Sequence, residues 1–228
     1  MMIGVLKMCG RYSLFAARED LLVRFGLVDF EEFEWVERYN IAPSQNVPAI
    51  VRTEAGNKIG MLKWGLVPSW ATDPKIGYKM INARAETVNQ KPSFKKLLRR
   101  RRCVIPADGF YEWKKEGTKK LPYRFQLNSK EPFAFAGLWD RWEQNGLIIH
   151  SCTIVTTEAN SLVKDVHDRM PVILTKESEK KWLDRSIEDE NDLKNLLVPF
   201  PAEEMQSYSV SPLVNSPKND VKEIVHSI

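Results

Sequence analysis

Apolar residues along this chain fall into short runs broken by Gly, Pro, Asn or charge, a pattern that predicts many short strands and few helices. Helical spacing appears first at Ala17–Phe25, where Leu21, Leu22 and Phe25 share a face and Gly26 supplies a stop. Val47–Arg52 and Ile59–Trp64 are strand-like and flank Glu54-Ala-Gly-Asn57, a hairpin signal. A short helix at Ser93–Leu98 runs into the basic block Arg99–Arg102. Strand-like segments follow at Cys103–Pro106, Phe110–Lys114, Pro122–Leu127, Phe133–Trp139 and Ile148–Thr156. Leu162–Val166 reads as a helical turn and Val172–Leu174 as a return to strand. Thr175 is placed to cap a helix reaching Asp184, with Glu177 and Glu179 favourably set in its first turn. Asp189–Leu197 predicts a further helix and Met205–Ser211 a late strand.

No linker, repeat or shift in composition divides the chain, so residues 9–228 are expected to form one domain. Helices scattered among closely spaced strands point to an α+β fold with a strongly curved, barrel-like, mostly antiparallel β core and peripheral helices. The 228 residues are 43% hydrophobic and 28% charged, which excludes a disordered chain. No apolar run approaches the roughly 20 residues of a membrane helix, so no membrane partner is expected. A net charge of +4 permits a polyanionic partner without requiring one.

Three cysteines are too few, and odd in number, for a disulfide framework, and Met1–Met8 is too short for a signal peptide. Both features point to the cytoplasm. No phosphate-binding or dinucleotide-binding glycine motif is present, and no cofactor is expected. Zinc would need long-range assembly of Cys9, Cys103, Cys152 and a histidine. Cys103 and Cys152 lie inside strands and read as buried small hydrophobes, so no metal is expected. Cys9 differs because it follows Met8, a plausible alternative start. With Met8 removed it would carry a free α-amine beside its thiol. Such an amine attacks an aldehyde to form a Schiff base, and the thiol then closes a thiazolidine ring.

Five segments occur in order: Met8-Cys-Gly-Arg-Tyr12, Tyr39-Asn-Ile-Ala-Pro-Ser44, Asn82-Ala-Arg-Ala-Glu-Thr87, Gly109-Phe-Tyr-Glu-Trp113 and His167-Asp-Arg-Met-Pro171. Together they closely resemble the SOS-response-associated peptidase family, also described as abasic-site processing proteins, from Cys9 to about Pro212. The resemblance implies that Cys9 crosslinks as a thiazolidine to the ring-opened aldehyde of an abasic site in single-stranded DNA. It implies that Asn82 holds the sugar-derived atoms and that Glu112 is a general acid/base that also helps reverse the link. It makes His167 a proton carrier beside the sugar and backbone. Arg11, Arg84 and Arg169 match arginines that grip phosphates, and Pro43, Trp70 and Trp113 match residues that stack on or wedge between bases. Asn40 joins the DNA-binding set. A monomer is expected, nucleoid-associated when bound to DNA.

The chemistry suits these roles. Opening the closed hemiacetal of an abasic sugar needs a proton donor and acceptor at the ring. The planar Arg fork bonds phosphate oxygens in pairs, and Trp stacking tolerates any base. Taken singly, His167 reads as a turn or capping residue, Glu112 as an outward-facing strand residue and Asn82-Ala-Arg84 as a turn. Lys95–Arg102 reads as a solvated helix face. In the family the cysteine directly follows the initiator Met, whereas seven residues precede Met8 here. Residues 1–8 are therefore expected to be a removed leader, cut off by self-proteolysis, or a mis-assigned start. The alternative is a cysteine peptidase with Cys9 as nucleophile and His167 as base, acting on its own leader or other proteins. A third reading is a single-stranded DNA-binding module whose Cys9 is incidental.

Overall fold

The computed structural model describes residues 9–28 and 34–228. It begins with β1 (Tyr12–Leu14) and α1 (Arg18–Phe25), followed by β2 (Arg38–Ile41), β3 (Asn46–Thr53) and β4 (Gly56–Trp64). Next come β5 (Asn82–Arg84), α2 (Pro92–Arg100), β6 (Arg102–Ala107), β7 (Gly109–Glu116) and β8 (Lys119–Leu127). The long strands β9 (Phe133–Gln144) and β10 (Leu147–Glu158) precede α3 (Ser161–Lys164), β11 (Arg169–Pro171) and β12 (Ile173–Leu174). The chain continues through α4 (Lys176–Leu183), α5 (Glu190–Asn195) and β13 (Met205–Ser209).

β10 pairs with β4 on one edge and β9 on the other. The β4–β3–β6–β9 pairings complete the circuit, so five strands close into a barrel without free edges. Only the β10–β4 pairing of that ring is parallel. A second, antiparallel sheet runs β13–β8–β7–β1–β2. Its inner face meets the barrel through aromatic edges, with the Tyr12 ring 5.4 Å from Trp64 and 5.6 Å from Phe135. The fold is therefore mixed α+β with a barrel, as the strand density predicts. Among the described residues no helix is long and apolar enough to cross a membrane.

Local signals explain most elements. Gly26 ends α1 at φ 56°, a left-handed turn that suits glycine. Leu21 and Phe25, four apart, are buried, but Leu22 is 40% exposed, which corrects its assignment to the buried face. Burying a Leu or Phe side chain is worth about 1.5–3 kcal/mol, so the Leu21–Phe25 pair sets how the helix docks. Thr175 caps α4 by accepting from the Ser178 N–H, as expected. Glu179 leaves its first-turn role to accept two bonds from Arg24, at 2.9 and 2.5 Å. The basic block is not uniformly solvated. Arg102 is buried and donates to the carbonyls of Leu98, Arg99, Trp182 and Asp184, closing the C-terminal ends of α2 and α4.

Candidate active site

The site forms where β10 outruns its barrel partners. Beyond Cys152 the strand no longer meets β4, and beyond Ile154 it no longer meets β9. Two three-residue strands fill the released edges. β5 lies parallel, with Asn82, Ala83 and Arg84 opposite Ile154, Val155 and Thr156. β11 lies antiparallel, with Arg169 opposite Glu158 and Pro171 opposite Thr156. Asn82, Arg84, Arg169 and the preceding His167 thus gather at one end of β10.

Cys9 and Glu112 arrive from the second sheet. Tyr12 pairs with Phe110 and Ser13 with Gly109, and the Tyr111 N–H donates to the Arg11 carbonyl at 3.0 Å. Continued one step, that register sets Gly10 opposite Glu112, and the Cys9 backbone N–H donates to Glu112 Oε1 at 2.8 Å. Both residues are buried, Cys9 at 4% and Glu112 at 2% exposure, and Cys9 has a positive φ of 34°. Burial raises the Glu112 carboxyl to about 7, opposed by the charge of His167 and by bonds from Cys9. Burial, then the charge and hydrogen bond of Glu112, push the Cys9 thiol well above its ordinary range, so it stays protonated.

His167 Nδ1 accepts from the Arg169 N–H at 3.0 Å and lies 3.2 Å from the Asp168 carboxylate. The same ring nitrogen lies 3.2 Å from the Arg169 carbonyl, so the Arg169 backbone holds the imidazole in place. Arg169 forks onto Glu86 at 2.6 and 3.0 Å and onto the Thr156 carbonyl at 2.8 Å. Against the upward push of burial, Arg169 holds the Glu86 carboxyl below its usual value. Among the described residues no protein acceptor reaches the buried Asn82 Nδ2, Arg11 Nε or Arg169 Nε. A buried donor left unbonded costs about 1–3 kcal/mol.

The remaining expected contacts divide. Arg11 is half-buried, bonded to Asn40 Oδ1 at 2.7 Å and the Val214 carbonyl at 2.6 Å, with its guanidinium 5.8 Å from the Trp113 ring centre. Trp113 Nε1 donates to Asn215 Oδ1 at 2.7 Å. Trp70 is 59% exposed on a loop clamped on both sides, by Ser69 N–H to Asp140 and by Trp142 Nε1 to the Ala71 carbonyl. Pro43 is half-buried in the β2–β3 connection, and Arg84 is exposed on β5. Neither Pro43 nor Trp70 is tied to Cys9 by a described bond. Asn40 is a correction. It has no exposed surface, and its amide donates to the carbonyls of Val214, Ser216 and Asn219, so it holds Arg11 from beneath and has no face for DNA.

Glu86, which fixes Arg169, was not singled out by sequence reasoning although it lies within the Asn82–Thr87 segment. The Val214–Asp220 strap that positions Arg11 and β2 carried no signal beyond scattered polar residues. Cys103 and Cys152 are buried and unbonded, and among the described residues no three His, Cys, Asp or Glu side chains group as a metal site. The expected leader, residues 1–8, lies outside the described residues.

This geometry belongs to a recognised group. The family model for the SOS response associated peptidase (SRAP) matches residues 8–217. The chain belongs to the SRAP family. It is 51% identical over 223 residues to the abasic site processing protein YoqW of Bacillus subtilis, covering 96% of this chain and all of that one. It is 30% identical over 227 residues to the abasic site processing protein YedK of Escherichia coli, covering 97% of this chain and 100% of that one. The crystal structure of a protein from Bacteroides thetaiotaomicron superposes with a TM-score of 0.87 at 30% identity, over 96% of this chain and 100% of that chain. In this SRAP chain, Cys9 and Glu112 come together across 103 residues of sequence.

Proposed function

We propose that the protein processes abasic sites in DNA by covalent capture through Cys9. The reading rests above all on the Cys9 nitrogen, which lies 2.8 Å from a buried carboxyl held near pH 7. The names of YoqW and YedK support the substrate class. The amine is freed by loss of Met1–Met8, through self-cleavage at Cys9 Sγ or through a start at Met8 followed by methionine removal.

With a reference pKa of about 7.7–8.0, the α-amine is partly neutral near pH 7. Its lone pair attacks C1′ of the ring-opened sugar, and Glu112 passes the proton that the nitrogen sheds to the new alkoxide, giving the carbinolamine. Protonated Glu112 then donates to the departing hydroxyl, water leaves, and the N–H proton of the iminium returns to Glu112 as the imine forms. The Cys9 thiol adds to the imine carbon, and its proton passes to nitrogen as the thiazolidine closes. One water is released overall. His167 supplies a proton when the sugar ring opens. Asn82 Nδ2 donates to sugar oxygen, while Arg11, Arg84 and Arg169 meet the flanking phosphates of a single strand. The Cys9 thiol, held protonated by burial, brings with it the proton that the imine nitrogen takes up on ring closure.

The test is a heat-stable adduct with abasic single-stranded DNA formed without reductant, since a plain Schiff base hydrolyses. Undamaged strands give none, and Cys9→Ala gives none. The intact mass of the active protein begins at Cys9. Equal crosslinking by Cys9→Ala would overturn the reading and redirect it to a lysine amine.

A further inference from the structure

The basic block of the sequence reappears at the other end of the barrel, in a feature the Cys9 chemistry does not use. An open cleft of about 1240 Å³ lies among the C-terminal ends of α1, α2 and α4 and the turn joining β3 to β4. Its lining includes eight Arg or Lys and three Asp or Glu residues. Three further carboxylates pair with lining cations from just outside, Glu131 with Lys176, Asp140 with Arg101 and Glu188 with Arg100, which leaves a local excess of two positive charges among the described residues. The β3–β4 turn lies at the far end of β4 from Trp64, and the Cys9 site begins beyond the β10 partner of Trp64. At about 3.3 Å per residue the two sites are separated by roughly 40 Å of strand path.

Cations at helix C-termini often do no more than balance the helix dipole. Here Arg102 already meets that need by bonding four terminal carbonyls of α2 and α4. Several others are committed, Arg24 to Glu179, Arg100 to Glu188 and Arg101 to Asp140. Arg99, Lys180 and Arg185 are exposed and form no ion pair within 4 Å among the described residues, although the charge of Lys180 acts on Glu177. Three exposed cations around one open cleft have the chemistry of a phosphodiester backbone site, two of them with forks that bond phosphate oxygens in pairs. We propose that this cleft is a second DNA-backbone site, which holds a stretch of DNA away from the Cys9 centre. It acts without reading bases, and it is independent of the crosslinking reaction.

The experiment compares the parent with R99Q/K180Q/R185Q by fluorescence anisotropy across a salt series. The probes are undamaged single strands of about 8 and about 40 nucleotides and a duplex of the longer length. Loss of three contacts should flatten the long single strand's slope of log affinity against log salt by about 2. The triple variant should also lose the second equivalent of short strand that the parent binds at low salt. The probes carry no aldehyde, so both measurements read noncovalent binding even if no adduct ever forms, and failure of the chemistry and failure of the cleft remain separable. A duplex slope that falls as well shows that the cleft takes flanking duplex; a fall for single strands alone restricts it to them. Unchanged slopes and stoichiometry in the triple variant, with an unchanged thermal midpoint, would overturn the proposal.

Discussion

Asp108 and Glu112 are two buried acids four residues apart, 5% and 2% exposed, in opposite surroundings. Asp108 is saturated. It accepts from Ser13 Oγ at 2.6 Å, from the N–H groups of Phe15 and Ala16, and from Arg124 at 3.1 Å. Burial raises its carboxyl, while Arg124 and these hydrogen bonds pull it back. Glu112 has no comparable cage: its bonds come from Cys9, and it rises to about 7. An acid with every lone pair engaged locks β1 to β7, whereas one that is dry and underbonded is ready to move a proton.

The comparison can be broken at either end. Asp108→Ala strands the Arg124 guanidinium, 2% exposed, and should cost about 3–5 kcal/mol in urea unfolding, with adduct formation intact in the molecules that remain folded. A loss under 1 kcal/mol would deny the pair its structural role. Glu112→Gln should do the reverse, slowing adduct formation and reversal by about 10²-fold or more while the fold persists.

The same variant sharpens the contrast through pH. Native Glu112 keeps its proton to about pH 7, whereas the unfolded chain releases it near the ordinary glutamate value of 4.5. The native state therefore binds more protons in between. Stability from this group is complete below 4.5 and is lost as pH rises through 7, a change of up to about 3 kcal/mol. The difference in unfolding free energy between parent and Glu112→Gln should follow that curve, and a flat difference would place Glu112 in a wetter site. Smallest is Gly109→Ala. Its Cβ would stand 2.5 Å from the Arg124 guanidinium, costing about 1–3 kcal/mol. The pH response of Glu112 should be unaffected.

Long elements were legible because their signals are local. The apolar runs at Cys103–Pro106 and Ile148–Thr156 mark β6 and β10, and the Thr175 hydroxyl marks the start of α4. Their ends shifted by one to several residues, since pairing partners prolong a strand beyond its apolar stretch; β9 runs on to Gln144. The site residues were named through the five-segment resemblance. Read singly, Glu112 would face solvent and Asn82–Arg84 would be a turn.

By itself the sequence determined the strand-rich class, the capped helices and which segments carry unusual chemistry. These follow from periodicity and capping, both set by neighbours a few residues apart. Only the tertiary structure decided that β1, β2, β5 and β11 exist, because strands of three or four residues show no period and form against an edge already in place. It also turned Asn40 and Arg102 inward and gathered Arg99, Lys180 and Arg185 around one cleft. The Glu112 carboxyl is near 7 because burial in the folded site outweighs the opposing charge of His167 and the hydrogen bonds from Cys9. Desolvation is a property of that enclosure, and no local pattern encodes it.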